Sequence, residues 1–212
     1  MNMQILVNNI NSLEKCMDCE KPFFMDIVRW NKIQSIKSES DKKRSFASGY
    51  LLHQMCKELG IDNPEYGYSE KGKPYLIGDH NVSFNISHSG DYVVLAYQES
   101  PQPIGIDIQQ IRNMREGMKR KILHEKEQVP ENASEEEQTR YLNRIWSIKE
   151  SYVKMTGDGL SCDFRRIQID FKNHKIMTEN GDAASFVEYE KLDGYVMAVC
   201  GKDVLDLHIK GV

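Results

Sequence analysis

The sequence predicts an α/β (α+β) fold: a pseudo-dimer of two similar α/β halves with the active site in the cleft between them. Three observations predict it. Arg44-Ser45-Phe46, which opens a predicted helix, recurs 100 residues later as Arg144-Ile145-Trp146, and an apolar strand that begins at Tyr92 recurs 103 residues later. A pair of prolines separates the two copies, so we divide the chain into an N-terminal half, 1–102, and a C-terminal half, 103–212. A cleft between two such halves is a common position for a ligand site.

The first half contains one clear helix and one predicted β-hairpin. From about Ser40 to Leu59 apolar residues recur at steps of three and four, and Ser40 or Asp41 can cap this helix. The runs 82–86 and 92–97 are joined by a short polar link that contains a glycine, which is typical of a hairpin. Three cations in the first helical turn are either a solvated charge run or an anion site beside free N–H groups.

The second half opens with a strictly alternating strand, residues 104–111. Its isoleucines face a core, so Asp107 and Gln109, two residues apart, share the opposite face. Gly105 leaves space for the close approach of another backbone or of a ligand. An acid that a strand places on a cleft can ligate a hard cation, but the same pattern also fits a strand with one solvated acid.

Charged residues dominate the connection between this strand and the next helix. Its first part, 112–126, includes a cluster of five cations within residues 112–121 and is either a solvated helix face or a docking surface for an acidic partner. These cations are Arg112, Arg115, Lys119, Arg120 and Lys121. Residues 125–137 are acidic and contain a proline, and we predict an exposed loop there.

A second strong helix is predicted from Arg144 to Met155 and ends before Gly157. Its predicted buried stripe consists of Ile145, Ile148, Tyr152 and Met155. Glu150 and Lys154 lie one turn apart on a different face. They are either a surface ion pair or a functional pair, with the carboxylate on a metal or proton and the ammonium on a phosphate.

Composition excludes several classes of protein. The 212 residues are 40% hydrophobic and 28% charged, and the net charge of −4 argues against a general nucleic-acid binder. The longest apolar run is far shorter than the roughly 20 residues of a membrane helix, and residues 1–10 are too polar for a signal peptide. The five cysteines include the spacing Cys16-x-x-Cys19, but no second pair completes a zinc site. We therefore expect reduced, incidental thiols in a soluble, cytoplasmic protein.

Four motifs occur in a characteristic order and at compatible spacing. They are Gly72-Lys73-Pro74, Phe84-Asn85-Ile86-Ser87-His88-Ser89, Gly105-Ile106-Asp107-Ile108, and Trp146-Ser147-Ile148-Lys149-Glu150-Ser151-Tyr152-Val153-Lys154 followed by Gly157-Asp158-Gly159-Leu160. Together they closely resemble the 4'-phosphopantetheinyl transferases of the surfactin-synthetase-activating (Sfp) type. By motif the resemblance covers about residues 40–160, and the organisation in two halves extends it over the whole chain.

The resemblance implies a reaction and a metal site. The family uses Mg²⁺ to move the 4'-phosphopantetheine arm of coenzyme A to a serine of an acyl or peptidyl carrier protein, and it releases adenosine 3',5'-bisphosphate. Asp107 and Glu150 are implied as metal ligands, Glu150 also as the base for the carrier serine, and Lys154 as a pyrophosphate ligand. Many relatives have another acid two residues after the Asp. Here that residue is Gln109, whose amide oxygen can still ligate, so we expect weaker Mg²⁺ binding without loss of activity.

The resemblance also implies contacts to coenzyme A. Lys73, Ser87 and His88 would touch it, and Arg44 would hold the 3'-phosphate, which suits the two-pronged guanidinium. His88 would be either a cationic phosphate contact or a neutral donor. Two further cations lie where the family often binds phosphate, although no motif anchors them: Arg29 and Lys32. With both halves in one chain we expect a monomer. The alternative to an enzyme is a non-catalytic binding protein of the same fold for coenzyme A or a carrier.

Overall fold

The computed structural model describes residues 2–16, 20–70, 72–159, 162–203 and 206–210. The helices in these parts are α1 (Ile27–Ser35), α2 (Glu39–Glu58), α3 (Glu116–Ile122) and α4 (Glu135–Thr156), with 3₁₀ helices at Ile10–Cys16 and Phe164–Arg166. The strands are β1 (Asn2–Asn9), β2 (Tyr66–Tyr68), β3 (Pro74–Leu76), β4 (Ser83–Ser89), β5 (Tyr92–Gln98), β6 (Ile104–Gln110), β7 (Gln168–Asp170), β8 (Lys175–Thr178), β9 (Gly181–Tyr189), β10 (Tyr195–Gly201) and β11 (Asp206–Lys210). Cys19 and Leu160, which the sequence analysis names, lie outside the described residues.

The two large sheets repeat one topology. Their strand orders are β11-β1-β5-β4 and β6-β10-β9-β8-β7. In the first, β1 pairs antiparallel with β5, which pairs antiparallel with β4; in the second, β6, β10 and β9 pair in the same way. Each half also has one long helix at the same place in the chain. Helix α2 lies between β1 and the β4–β5 pair, and α4 lies between β6 and the β9–β10 pair. The two similar α/β halves are therefore confirmed.

The final strand returns to the beginning of the molecule. β11 pairs in parallel with β1, so it extends the first sheet although it follows all of the second. The division into domains at residue 102 stays a prediction. None of the helices in the described part of the chain is long and apolar enough to cross a membrane.

The halves share a core between their sheets. Ile5 and Val94 of the first sheet pack with Ile106 and Met197 of the second, and all four are at most 2% exposed. The opposite face of β5 packs under α2, where Leu95 is fully buried. The run from residue 92 to 97 is apolar throughout because β5 is covered on both faces.

Both long helices begin earlier than predicted. Ser38, rather than Ser40 or Asp41, caps α2 and accepts a hydrogen bond from the backbone of Asp41. The helix predicted from Arg144 begins at Glu135, so the acidic stretch 125–137 is not a loop to its end. The first turns of α4 are exposed and therefore lack an apolar pattern, and three acids there suit the positive end of the helix dipole.

The hairpin of β4 and β5 is confirmed, but its link is shorter than predicted. Ser87, His88 and Ser89 belong to β4, and the turn consists of Gly90 and Asp91. Gly90 has a φ of +53°, in the left-handed region that glycine adopts most easily. Because Ser87 is a strand residue, its side chain has a fixed direction toward β6.

A glycine lets α4 lie directly against β6. A Cβ atom on Gly105 would be 1.9 Å from the carbonyl oxygen of Ser151 and 2.6 Å from the amide nitrogen of Met155. No side chain fits at such distances, so the predicted close approach of a second backbone is confirmed. This contact brings the residues of α4 that follow Ser151 over the strand that carries Asp107.

We expect Gly105→Ala to lower the free energy of unfolding by about 3 kcal/mol, since the new methyl group forces α4 away from β6. Gly117→Ala is the matched control, because a Cβ there meets open space in α3 and alanine favours a helix. Urea unfolding of both variants measures the effect. Equal stability of the two variants would show that the contact is not tight.

Candidate active site

Asp107 is the most enclosed acid of the site. Its side chain is 2% exposed and pairs with the ammonium group of Lys154, with 2.5 Å between Nζ and Oδ1. The hydroxyl of Ser87 donates to the same oxygen at 2.9 Å, and the amide nitrogen of Gln109 donates to Oδ2 at 3.0 Å. The structure thus brings together β4, β6 and α4 on one carboxylate.

Glu150 is the second acid, and it is less well satisfied. The residue is 8% exposed, and its Oε1 atom is buried without a hydrogen-bond partner. Burial, followed by the nearby negative charge of Asp107, raises the pKa of Glu150, while Lys154 opposes this shift. A carboxylate oxygen enclosed in this way lacks a cation or a hydrogen-bond donor.

The two acids suit a magnesium ion that a substrate helps to hold. No group of three or more His, Cys, Asp or Glu side chains able to bind a metal occurs among the described residues. Mg²⁺ commonly binds through one or two carboxylates, several waters and the phosphates of a substrate. Asp107 and the unpaired oxygen of Glu150 fit that pattern.

A cavity of about 670 Å³ opens between the two halves next to these acids. The first half lines it with residues from α1, α2, the β2–β3 hairpin and β4, and the second half lines it with α4 and the turn after it. Four side-chain atoms in the described part of the chain are buried without a partner, and three belong to residues of this wall. They are Arg29 Nε, Asn85 Oδ1 and Glu150 Oε1. Such a wall is built for a polar ligand.

Cations gather on the same wall. Lys73, His88 and Lys154 line the cavity, and Lys73 Nζ donates to the backbone oxygen of Lys154 at 3.4 Å. Desolvation and then the charge of Lys154 lower the pKa of Lys73. Desolvation, followed by the charges of Arg44 and Lys154, also lowers the pKa of His88. Cationic groups that lower one another's pKa in this way would be stabilised by an anionic ligand.

The remaining predicted residues lie at different distances from the cavity. Ser87, Asp107 and Gln109 are not among the lining residues, but Ser87 and Asp107 both accept hydrogen bonds from Lys154, which is. The guanidinium of Arg44 donates to the backbone oxygen of Gly90 at 2.8 Å and pairs with Asp41 at 2.5 Å, and Arg44 is not one of the lining residues.

Arg29 and Lys32, which no motif anchors, do line the cavity. The sequence does not predict their helix, α1, because its apolar residues Ile27 and Val28 are exposed and blur the periodic pattern.

A second cavity, of about 410 Å³, lies on another side of Glu150. Its walls come from α3, from α4 and from the 3₁₀ helix at Phe164–Arg166, and they are largely apolar with basic residues among them. The lining residues are Met118, Lys121, Ile122, Trp146, Glu150, Cys162, Asp163, Phe164 and Arg165. Glu150 lines both cavities, so two ligands can approach it from different directions.

Two family models match the chain, one for each half. The model of the 4'-phosphopantetheinyl transferase superfamily matches residues 103–200. The model of the N-terminal region of 4'-phosphopantetheinyl transferases matches residues 26–100. The two matches meet at the connection between the repeated halves, so both halves carry the family's pattern.

Individual relatives agree with the family models. The 4'-phosphopantetheinyl transferase gsp of Aneurinibacillus migulanus is 31% identical over 168 residues, covering 76% of this chain and 69% of that protein. The 4'-phosphopantetheinyl transferase Sfp of Bacillus subtilis (strain 168) is 29% identical over 185 residues, 84% and 82% of the two chains. An L-aminoadipate-semialdehyde dehydrogenase-phosphopantetheinyl transferase of Rattus norvegicus is 33% identical over 147 residues, 61% of this chain and 47% of that protein. The prediction from the four motifs is thus confirmed: the chain belongs to the 4'-phosphopantetheinyl transferase superfamily and is an enzyme of the Sfp type.

Proposed function

We propose that the enzyme uses Mg²⁺ to transfer the 4'-phosphopantetheine arm of coenzyme A to a serine of an acyl or peptidyl carrier protein. Adenosine 3',5'-bisphosphate is the second product. The observation that supports this most is the buried, unpartnered Oε1 of Glu150, a residue that lines the cavity with the cations and whose pKa the charge of Asp107 helps to raise.

The larger cavity would bind coenzyme A. Lys154 and Lys73 are adjacent on its wall and would hold the pyrophosphate, with His88 beside them. Ser87 would contribute by orienting Lys154, because its hydroxyl oxygen accepts a hydrogen bond from Lys154 Nζ at 2.8 Å. Arg44, whose charge acts on His88, is proposed for the 3'-phosphate. In that role its guanidinium exchanges the carboxylate of Asp41 for the phosphate.

Asp107 and Glu150 would hold the magnesium ion, with Gln109 as a further proposed ligand through its amide oxygen. When bound, the metal neutralises charge on the pyrophosphate and lowers the barrier to its cleavage. Glu150 accepts the proton of the carrier serine as its oxygen forms a bond to the phosphorus of the arm. The bond from that phosphorus to the bridging oxygen breaks, and its electron pair leaves with adenosine 3',5'-bisphosphate. Lys154 stabilises the charge that collects on the departing phosphate.

The carrier would approach through the smaller cavity. Glu150 forms part of its wall, so a serine placed there reaches the base without crossing the coenzyme A site. The cations predicted as a docking surface lie on and before α3, and Lys121 of that group lines the cavity. An acidic carrier surface would complement them. Because one chain forms both cavities, a monomer would contain every residue that this arrangement needs.

The proposal is tested by incubating the protein with coenzyme A, Mg²⁺ and an apo carrier domain, and by weighing the carrier with intact-protein mass spectrometry. We expect the mass of the phosphopantetheine arm to be added, and we expect Glu150→Gln to lower kcat by about 10³-fold, since it removes a ligand charge and the base. Glu136→Gln, at an exposed acid on the same helix, is the control and should react normally. A carrier of unchanged mass in the wild-type reaction would refute the proposal.

Gln109→Glu restores a negative charge that many relatives have two residues after the Asp. We expect tighter Mg²⁺ binding, with an apparent dissociation constant about tenfold lower, since another carboxylate adds charge at the metal. Turnover at saturating Mg²⁺ should change little. Gln109→Ala gives the comparison without a ligand atom. Unchanged or weaker dependence on Mg²⁺ in Gln109→Glu would count against this position as a metal ligand.

His88 distinguishes a cationic from a neutral contact through pH. Its lowered pKa keeps the ring neutral near pH 7 in the free protein, and a bound phosphate would raise that pKa. Binding then takes up a proton, so coenzyme A affinity rises as pH falls through the bound-state pKa and levels off below the free-state pKa. Calorimetry between about pH 8 and pH 5.5 measures the uptake, and His88→Gln should remove the part that exceeds coenzyme A's own titration. Equal uptake in both proteins would assign His88 as a neutral donor.

A further inference from the structure

A fully buried lysine stands next to Glu150 in the chain, and neither cavity uses it. Lys149 is 0% exposed, and its partner Glu127 is 4% exposed. An ammonium group has three N–H donors, and Lys149 uses all of them. Its Nζ donates to the carboxylate of Glu127 at 2.6 Å and to the backbone oxygens of Ile122 at 2.7 Å and Phe164 at 3.1 Å.

Glu127 is satisfied just as completely from three directions. Besides Lys149, its carboxylate accepts from the backbone amide of His124 at 2.9 Å and from that of Ile169 at 2.9 Å. The pair therefore ties four segments to α4: the end of α3, the turn that follows it, the 3₁₀ helix at Phe164–Arg166, and β7. A pair with so many directional bonds defines one arrangement of these segments.

Two of the segments held in this way form walls of the smaller cavity. Ile122, the last residue of α3, and Phe164 both line it. Phe164 also contacts the ring of Trp146, with 5.3 Å between ring centres. The spacing of these walls depends on Lys149, since its ammonium group bridges the backbone oxygens of both. The larger cavity has no wall in these segments.

We propose that Lys149, together with Glu127, is a positioning residue for the carrier side of the enzyme. It sets the width of the smaller cavity beside Glu150 and so the fit of the carrier's serine-bearing segment. The inference rests on the proposed function, because it assumes that the carrier enters there. It predicts a selective defect: loss of the pair weakens the productive fit of the carrier and leaves the affinity for coenzyme A unchanged.

The test uses the full chain and an excised apo peptidyl carrier domain. Lys149→Met alone leaves a buried carboxylate without its partner and endangers folding, so the double variant Lys149→Met/Glu127→Gln, which removes both charges, is measured beside it. We expect the double variant to raise the KM for the carrier by about tenfold or more, as a loosened site does. The dissociation constant for coenzyme A should stay within about twofold of the wild-type value.

The matched control removes another ion pair of the same helix. Arg144 of α4 and Glu188 of β9 are joined by two hydrogen bonds of 2.7 Å and line neither cavity. We expect Arg144→Met/Glu188→Gln to lower stability without changing the KM for the carrier. Hydrogen exchange adds a readout independent of turnover. Amides in α3 and in residues 162–166 should exchange faster in the Lys149 variant than in the control, whereas those of β4 should not.

Two results would overturn the inference. The first is an unchanged KM for the carrier in the Lys149 double variant, and the second is an equal rise in the variant and its control, which would show ordinary loss of stability. If instead the proposed function is wrong, the wild-type protein itself will leave the carrier unmodified. That result would remove the basis of this inference as well, and it is known before any variant is compared.

Discussion

The close contact between α4 and β6 determines everything else at the site. Gly105 has no side chain, so the backbone at Ser151 rests on the strand at a distance that no Cβ would allow. Glu150 directly precedes Ser151 and Lys154 follows it by three residues, so the same contact brings both side chains beside Asp107 in the middle of the strand. A helix held farther away would separate the two acids, and each would be an isolated buried charge.

Charge balance explains why the arrangement is stable without a ligand and suited to one. Lys154 neutralises Asp107, which also receives hydrogen bonds from Ser87 and Gln109. Glu150 is left with an enclosed, unpartnered oxygen and a raised pKa. In the proposed function, a divalent cation would supply the missing positive charge at Glu150, and the pyrophosphate would become a new anionic partner for Lys154. The net charge of −4 on the whole chain has no bearing on this local balance.

Much of this could be predicted from the sequence, and the failures have physical causes. The repeat, the long helices and the face shared by Asp107 and Gln109 follow from periodic patterns, which report burial directly. The early starts of α2 and α4 were missed because their first turns are exposed, so capping rather than periodicity marks them. A local sequence pattern also says little about side-chain contacts between residues that lie far apart in the chain.

Lys149 and Arg29 show that second limit best. Lys149 lies in a charged motif and would be taken for a surface residue, because its partner Glu127 is 22 positions away in a stretch predicted as a loop. Arg29 lines the larger cavity from α1, a short helix whose exposed apolar residues hide its pattern. In both cases, burial and direction come from tertiary packing, which a local pattern does not contain.

The claim that both acids serve one divalent ion is tested most directly by a crystal structure with coenzyme A and Mn²⁺, using anomalous scattering at the manganese edge. We expect one strong peak within about 2 Å of carboxylate oxygens of both Asp107 and Glu150, with Lys154 Nζ moved from Asp107 to a phosphate oxygen. A metal bound elsewhere, with Asp107 and Lys154 still paired beside a bound coenzyme A, would contradict it.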